Sequence, residues 1–261
     1  MNNESICNKI YNKQEIKRVN YIIGNIFNKL LEGEQKFKNI DITQLLRYNN
    51  EKINLTNLLG SKYIPEIIKK YIINNNNNTC TLEIEINEKK IRVNFIDFIS
   101  KENLNKILNE NVINSVLLLF YFLSSCSEYK CGKNINVNIF FTHFKKYMPY
   151  NKNDIIGTNN VNSGYSTAGC NNTTTLVIYR EEEWFKVLIH ELFHNLNLDF
   201  STNNIKNSIK LLSQNFGVKS DYCFFESYCE MWARILNVCI KNFIKTNKIF
   251  CHNDRNKIYN K

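Results

Sequence analysis

TTLVIYREEEWFKVLIHELFHNLNLDF, residues 174–200, contains a change of hydrophobic period. Residues 174–179 read as a strand of β-branched and apolar residues. From Glu181 the apolar positions switch to helical spacing, through Trp184, Leu188, Leu192 and Leu196. Glu181, Glu182 and Glu183 stand where a helix dipole favours acids, so the helix is expected to open on them. A strand running directly into an amphipathic helix calls for a sheet with helices packed on it.

That helix carries His190-Glu191-Leu192-Phe193-His194, an HExxH pattern. Four residues advance a helix by about 400°, so the two imidazoles lie roughly 40° apart on one face and one turn apart. Both can reach a single cation. Glu191 sits about 100° around from His190, placed to hold a water rather than to ligate. Two neutral imidazoles with an open position suit Zn²⁺, and a carboxylate beside them suits a general base. Trp184, Phe185, Leu188, Ile189, Leu192 and Leu196 form a broad apolar stripe that would anchor the helix in a core.

A catalytic zinc ordinarily takes three protein ligands. FFESYCEMWARIL, residues 224–236, reads as a second helix with Glu226 and Glu230 one turn apart. Apolar neighbours (Phe225, Tyr228, Met231, Trp232, Ile235, Leu236) would largely bury both carboxylates, and a buried carboxylate needs a partner. Glu226 is therefore the candidate third ligand, with Glu230 accepting the free N–H of a ligating histidine. The simpler alternative is a pair of exposed acids in salt bridges to Lys or Arg234. Asp199, five residues after His194, is the rival third ligand. No Gly stands at Asn197 and no His at Phe200, which departs from HExxHxxGxxH.

Upstream, helical spacing runs over residues 13–33, with shorter helices at 42–48 and from Pro65 to Ile73. The asparagine run 74–78 reads as a linker. These features set residues 1–75 apart as a helical N-terminal region from a second unit at 80–250. TLEIEI (81–86) and IRVNFI (91–96) alternate about a turn and predict a hairpin. Residues 103–123 predict one long apolar helix, and INVNIFF (135–141) a third strand. A polar loop spans 151–173 before the strand at 174. Helices are expected at 203–216 and 221–243. The fold class is α+β, with a small mixed or mostly antiparallel sheet and a helical C-terminal part.

Over 261 residues the composition is 43% hydrophobic and 13% aromatic, which excludes a wholly disordered chain. The net charge of +10 is dispersed, with no block of five or six Lys/Arg. Nucleic acid thus stays a partner class that the pattern does not support. The nine cysteines form no CxxC, the N-terminus has no apolar signal core, and the longest apolar run, 112–123, is too short for a span. Mostly reduced, buried cysteines in a cytoplasmic protein are expected.

HELFH with a later Glu-xxx-Glu helix resembles the gluzincin branch of the zincin metallopeptidases; Glu230 stands where that branch commonly has Asp. The segment VNSGYS…TTLVIYREEEWFKVLIHELFHNLNLDF is also similar to zincin-like proteins of large DNA viruses, which would place the chain in a host cytoplasm or a virion. The resemblance covers about residues 80–245. It implies hydrolysis of peptide bonds in a peptide or protein substrate by a metal-activated water, with Glu191 as base. The alternative is an inactive zincin-fold module that binds peptide or nucleic acid. It also implies that the strand at 174–179 is the sheet edge that pairs with extended substrate. Tyr165 and Tyr228 are candidate oxyanion donors, Tyr222 and His143 lesser ones.

Overall fold

The computed structural model describes residues 13–49, 59–151, 153–167, 169–200, 206–217 and 223–252. In chain order these form α1 (Lys13–Phe37), α2 (Ile42–Leu45), β1 (Leu46–Asn49), α3 (Glu66–Asn74), β2 (Asn78–Ile86), β3 (Lys89–Asp97), α4 (Lys101–Ile107) and α5 (Glu110–Cys126). There follow β4 (Asn134–Phe141), α6 (Thr158–Val161), β5 (Gly164–Ser166), β6 (Thr173–Ile178), α7 (Trp184–Asn195), α8 (Lys206–Phe216) and α9 (Phe224–His252). The fold is α+β: an N-terminal helix, a six-stranded mixed sheet and a helical C-terminal part.

The sheet order is β1-β2-β3-β4-β6-β5. β1, β2 and β3 are antiparallel neighbours, β3, β4 and β6 run parallel, and β5 returns antiparallel at the far edge. The β2–β3 hairpin closes on Asn87 and Glu88, both at positive φ (49° and 61°), as a two-residue turn matched to strand twist requires.

Strand alternation divides the sheet into two faces. Leu82, Val93, Phe95, Val137, Ile139, Leu176 and Ile178 face the main core, where α5, α7 and α9 supply Leu117, Phe120, Leu188, Leu192, Leu236 and Ile240. α1 joins the same core through Ile26 and Leu30, and Phe27 packs on Phe243 of α9 (ring centroids 5.9 Å). The opposite face carries a smaller cluster in which Ile68 and Ile72 of α3 cover Ile96, Phe140, Val177 and Tyr179.

Several expectations shift. The expected helix at 42–48 stops at Leu45, because Leu46 to Asn49 pair with β2 as an edge strand. The long helix at 103–123 is two helices bent by 59°, since Asn109 accepts from the N–H groups of Asn111 and Val112 and so caps a new start. Among the described residues no single helix is long and apolar enough to cross a membrane. The bent α4–α5 pair reaches that length, but α5 is largely buried in the core.

The three acids precede α7 rather than opening it: Glu183 is its N-cap at φ 55°. The carboxylates of Glu182 and Glu183 tie the loop around Lys146 to the start of α7 instead. Glu182 accepts from the Lys146 N–H (2.5 Å), and Glu183 pairs with Lys146 and Lys186 (3.1 and 2.7 Å).

The strand at 174–179 is not the edge: β5 lies outside it. Cys131 and Cys170 form a disulfide, while Cys80, Cys126, Cys223, Cys229 and Cys239 are free, so the described cysteines are mostly reduced, with one pair joined. Parallel pairing aligns Asn134 of β4 with Thr173 of β6, so the residues three places before each strand meet. Among the free cysteines, Cys126 and Cys223 are exposed rather than buried.

Candidate metal centre

α7 buries Phe185, Leu188, Ile189 and Leu192 against the core, which turns His190 and His194 toward α9. α9 buries Cys229, Ala233, Leu236, Ile240 and Phe243 at alternating spacings of four and three, the period of one helical stripe. That stripe leaves Glu226 and Glu230 on the flank facing α7. His190 Nε2, His194 Nε2 and Glu226 Oε2 converge at mutual separations of 3.1, 3.1 and 3.4 Å.

Those separations bear directly on metal binding. Ligand atoms about 2.05 Å from a tetrahedral cation stand about 3.3 Å from one another. The group His190, His194 and Glu226 could therefore hold a metal ion with little rearrangement. Two imidazole nitrogens and one carboxylate oxygen, with room for a fourth donor, is a donor set suited to a divalent transition ion. Glu226 is more open than the sequence pattern suggests, its side chain 49% exposed, because its outer side forms the cleft wall.

Asp199 takes a different place from the rival-ligand reading. Its Oδ2 lies 2.6 Å from His194 Nδ1, a hydrogen-bond distance, and with Cys229 these residues form a second, separate group that could hold a metal ion. The chain reaches Asp199 through a Schellman-type helix end. Asn197 at φ 56° bonds back to the His194 carbonyl, and Leu198 to that of Phe193. Asn tolerates this left-handed position, so the absent glycine leaves the reversal intact. Asp199 is buried and holds the His194 ring with Nε2 aimed at the cleft.

Glu230 follows the salt-bridge reading made from sequence and makes no hydrogen bond to His190. Its Oε1 accepts from Lys186 Nζ and Arg234 Nε, each at 2.9 Å. Its Oε2 stands 3.6 Å from His190 Nδ1, an electrostatic neighbour beyond hydrogen-bond reach.

Charge follows from these contacts. His190, with His194 beside it, holds the Glu226 carboxyl well below the usual carboxylate range. Burial opposes a charge on His194, but hydrogen bonds involving Cys229, Glu226 and Asp199 outweigh it and push the imidazole up to about 11. Burial raises the Glu191 carboxyl, and a hydrogen bond from Ser166 Oγ to its Oε2 (2.7 Å) partly opposes the rise.

All four groups line a cleft of about 630 Å³, walled by Tyr63, Val161, Ser166, Val187 and Phe225. The candidate oxyanion donors fare unequally. Tyr165 lines the cleft on β5, but its ring packs against the smaller core beside Tyr63 (6.3 Å between centroids). Tyr228 packs edge-to-face with Phe200 (4.5 Å between centroids) and Trp232, outside the cleft lining. His143 stacks on Phe144 and meets Tyr71 edge-to-face, also away from the cleft. Tyr222 lies outside the described residues. Sequence reasoning missed Ser166 and Tyr63; neither belongs to a recognisable pattern. Comparison with protein-family models, with curated proteins and with solved structures yields no match.

Proposed function

We propose that the chain is a zinc-dependent peptidase of the zincin type, with His190, His194 and Glu226 as metal ligands and Glu191 as general base. The observation that carries this reading is the triad of ligand atoms at tetrahedral spacing in the same cleft as a buried carboxylate. A zinc ion held there supplies Lewis acidity toward water and toward the scissile carbonyl.

The chain's own residues do the rest. Glu191, whose basicity burial raises, accepts the proton of the attacking water and delivers it to the departing amine. Asp199 holds the His194 imidazole in the rotamer that ligation needs, and the Glu230 carboxylate lies beside His190 as an electrostatic neighbour. Substrate would lie extended along the outer edge of β5, the last described strand of the sheet, whose inner side is paired with β6. The edge strand expected from resemblance is thus one strand further out in this sheet.

The test is cleavage of a mixed peptide library, read by mass spectrometry. Turnover should need zinc, stop with chelator, return on zinc addition, and vanish in Glu191→Gln while that variant still binds zinc. Stoichiometric zinc binding without cleavage of any peptide would instead make the chain a binding module.

A further inference from the structure

Gly164 and Ser166 occupy the face of β5 that meets α7, and Tyr165 between them turns to the other face. A Cβ on Gly164 would stand 3.0 Å from Val187 Cγ1 and 2.9 Å from the Val177 carbonyl oxygen, so glycine alone lets α7 come this close. The next residue on that face lies two positions along the strand, about 6.6 Å away. On α7 the next residue on the facing side lies one turn past Val187, about 6 Å along the axis. Strand and helix therefore keep step, and Ser166 arrives opposite Glu191. Its Oγ donates to Glu191 Oε2 at 2.7 Å. Glu191 Oε1 has no hydrogen-bond partner among the described residues.

The same strand is tied to the other end of the motif. Asn195 Nδ2 donates to the Thr167 carbonyl (3.2 Å), and the Gly169 N–H to the His194 carbonyl (3.2 Å). Ser166, Thr167 and Gly169 are thus anchored to α7 at Glu191, Asn195 and His194.

From this we infer that Ser166 is a positioning residue for the base. It occupies one carboxylate oxygen of Glu191 and fixes the side-chain torsions so that the other oxygen faces the cleft. Because Ser166 lies on the last described strand of the sheet, along which an extended peptide would pair, one three-residue strand would set both where the peptide lies and how the base is aimed. The inference rests on the peptidase reading.

The test compares Ser166→Ala and Ser166→Thr in the zinc-loaded protein, with Glu191→Gln as reference. Ser166→Ala should lower kcat by about 10- to 100-fold, the range for losing one hydrogen bond to a charged group. KM and zinc affinity should stay within twofold, and Ser166→Thr, which keeps the hydroxyl, should recover kcat to within threefold. A crystal structure of Ser166→Ala should show Glu191 in a changed or split rotamer, a readout independent of turnover. Unchanged kcat, failure of Thr to rescue, or an unmoved Glu191 side chain overturns the inference. If Glu191→Gln is inactive while Ser166→Ala is fully active, only this inference falls. If Glu191→Gln retains turnover, the peptidase reading falls with it.

Discussion

Asp199→Asn separates a ligand from a support. The Asp199 carboxylate lies 2.6 Å from His194 Nδ1 and is almost wholly buried, so the contact is a short, charge-assisted hydrogen bond. Asparagine keeps the size and one acceptor but removes the charge. Groups that orient a ligating histidine in this way contribute about 10- to 100-fold to metal affinity, or about 1.4–2.8 kcal/mol. A direct ligand contributes more, because its loss removes a bond to the cation. The assay is zinc titration against a competing chelator at fixed pH for wild type, Asp199→Asn and Glu226→Gln. Asp199→Asn should weaken zinc binding by about 10- to 100-fold, and Glu226→Gln by more than that. If Asp199→Asn binds more weakly than Glu226→Gln, the assignment of the third ligand is reversed and the convergence at the two Nε2 atoms is not the binding site.

Other outcomes follow from the same contacts. In metal-free protein His194 titrates at about 11, above the unfolded value of about 6.5, so its protonation adds stability that is complete below pH 6.5 and is lost as pH rises through 11. Melting temperature with chelator should therefore fall between pH 7 and 10, whereas the extra stability given by zinc should grow over the same range, because the cation competes with that proton. Burial of Glu191 should place the acid limb of kcat/KM above the ordinary glutamate range of about 4.3, and a limb at or below that value would contradict its role as a desolvated base. Cys170→Ser opens a loop closed across 39 residues and should cost about 4 kcal/mol in denaturant unfolding, with no further loss on adding dithiothreitol. Leu30→Ala should cost about 2–5 kcal/mol if α1 shares the main core, and a loss under 1 kcal/mol would mean that α1 packs only loosely.

The parts of the site legible in the sequence were those where spacing converts directly into geometry. HExxH and Glu-xxx-Glu each fix a helix face, and the apolar stripe of α7 and α9 says which side points inward. The hairpin was legible for the same reason, since period two and a short turn set its register. What stayed hidden depends on contacts between distant segments. β5 is three residues long and shows no period of its own, so neither the true sheet edge nor Ser166 could be read. The role of Asp199 turns on Asn197 taking a left-handed conformation that reverses the chain, which sequence permits but does not require. The disulfide follows from the parallel register of β4 against β6, and nothing in the cysteine spacing encodes that. The acids before α7 misled because glutamates at a helix start also serve as ion-pair partners, and here Lys146 and Lys186 claim them.

Anomalous diffraction at the zinc absorption edge, from crystals of the zinc-loaded protein, locates the cation itself. A single strong peak about 2.0–2.2 Å from His190 Nε2, His194 Nε2 and Glu226 Oε2 is the expected outcome. A peak on the Asp199 and Cys229 side of His194, or no peak between α7 and α9 in protein that carries zinc, would contradict it.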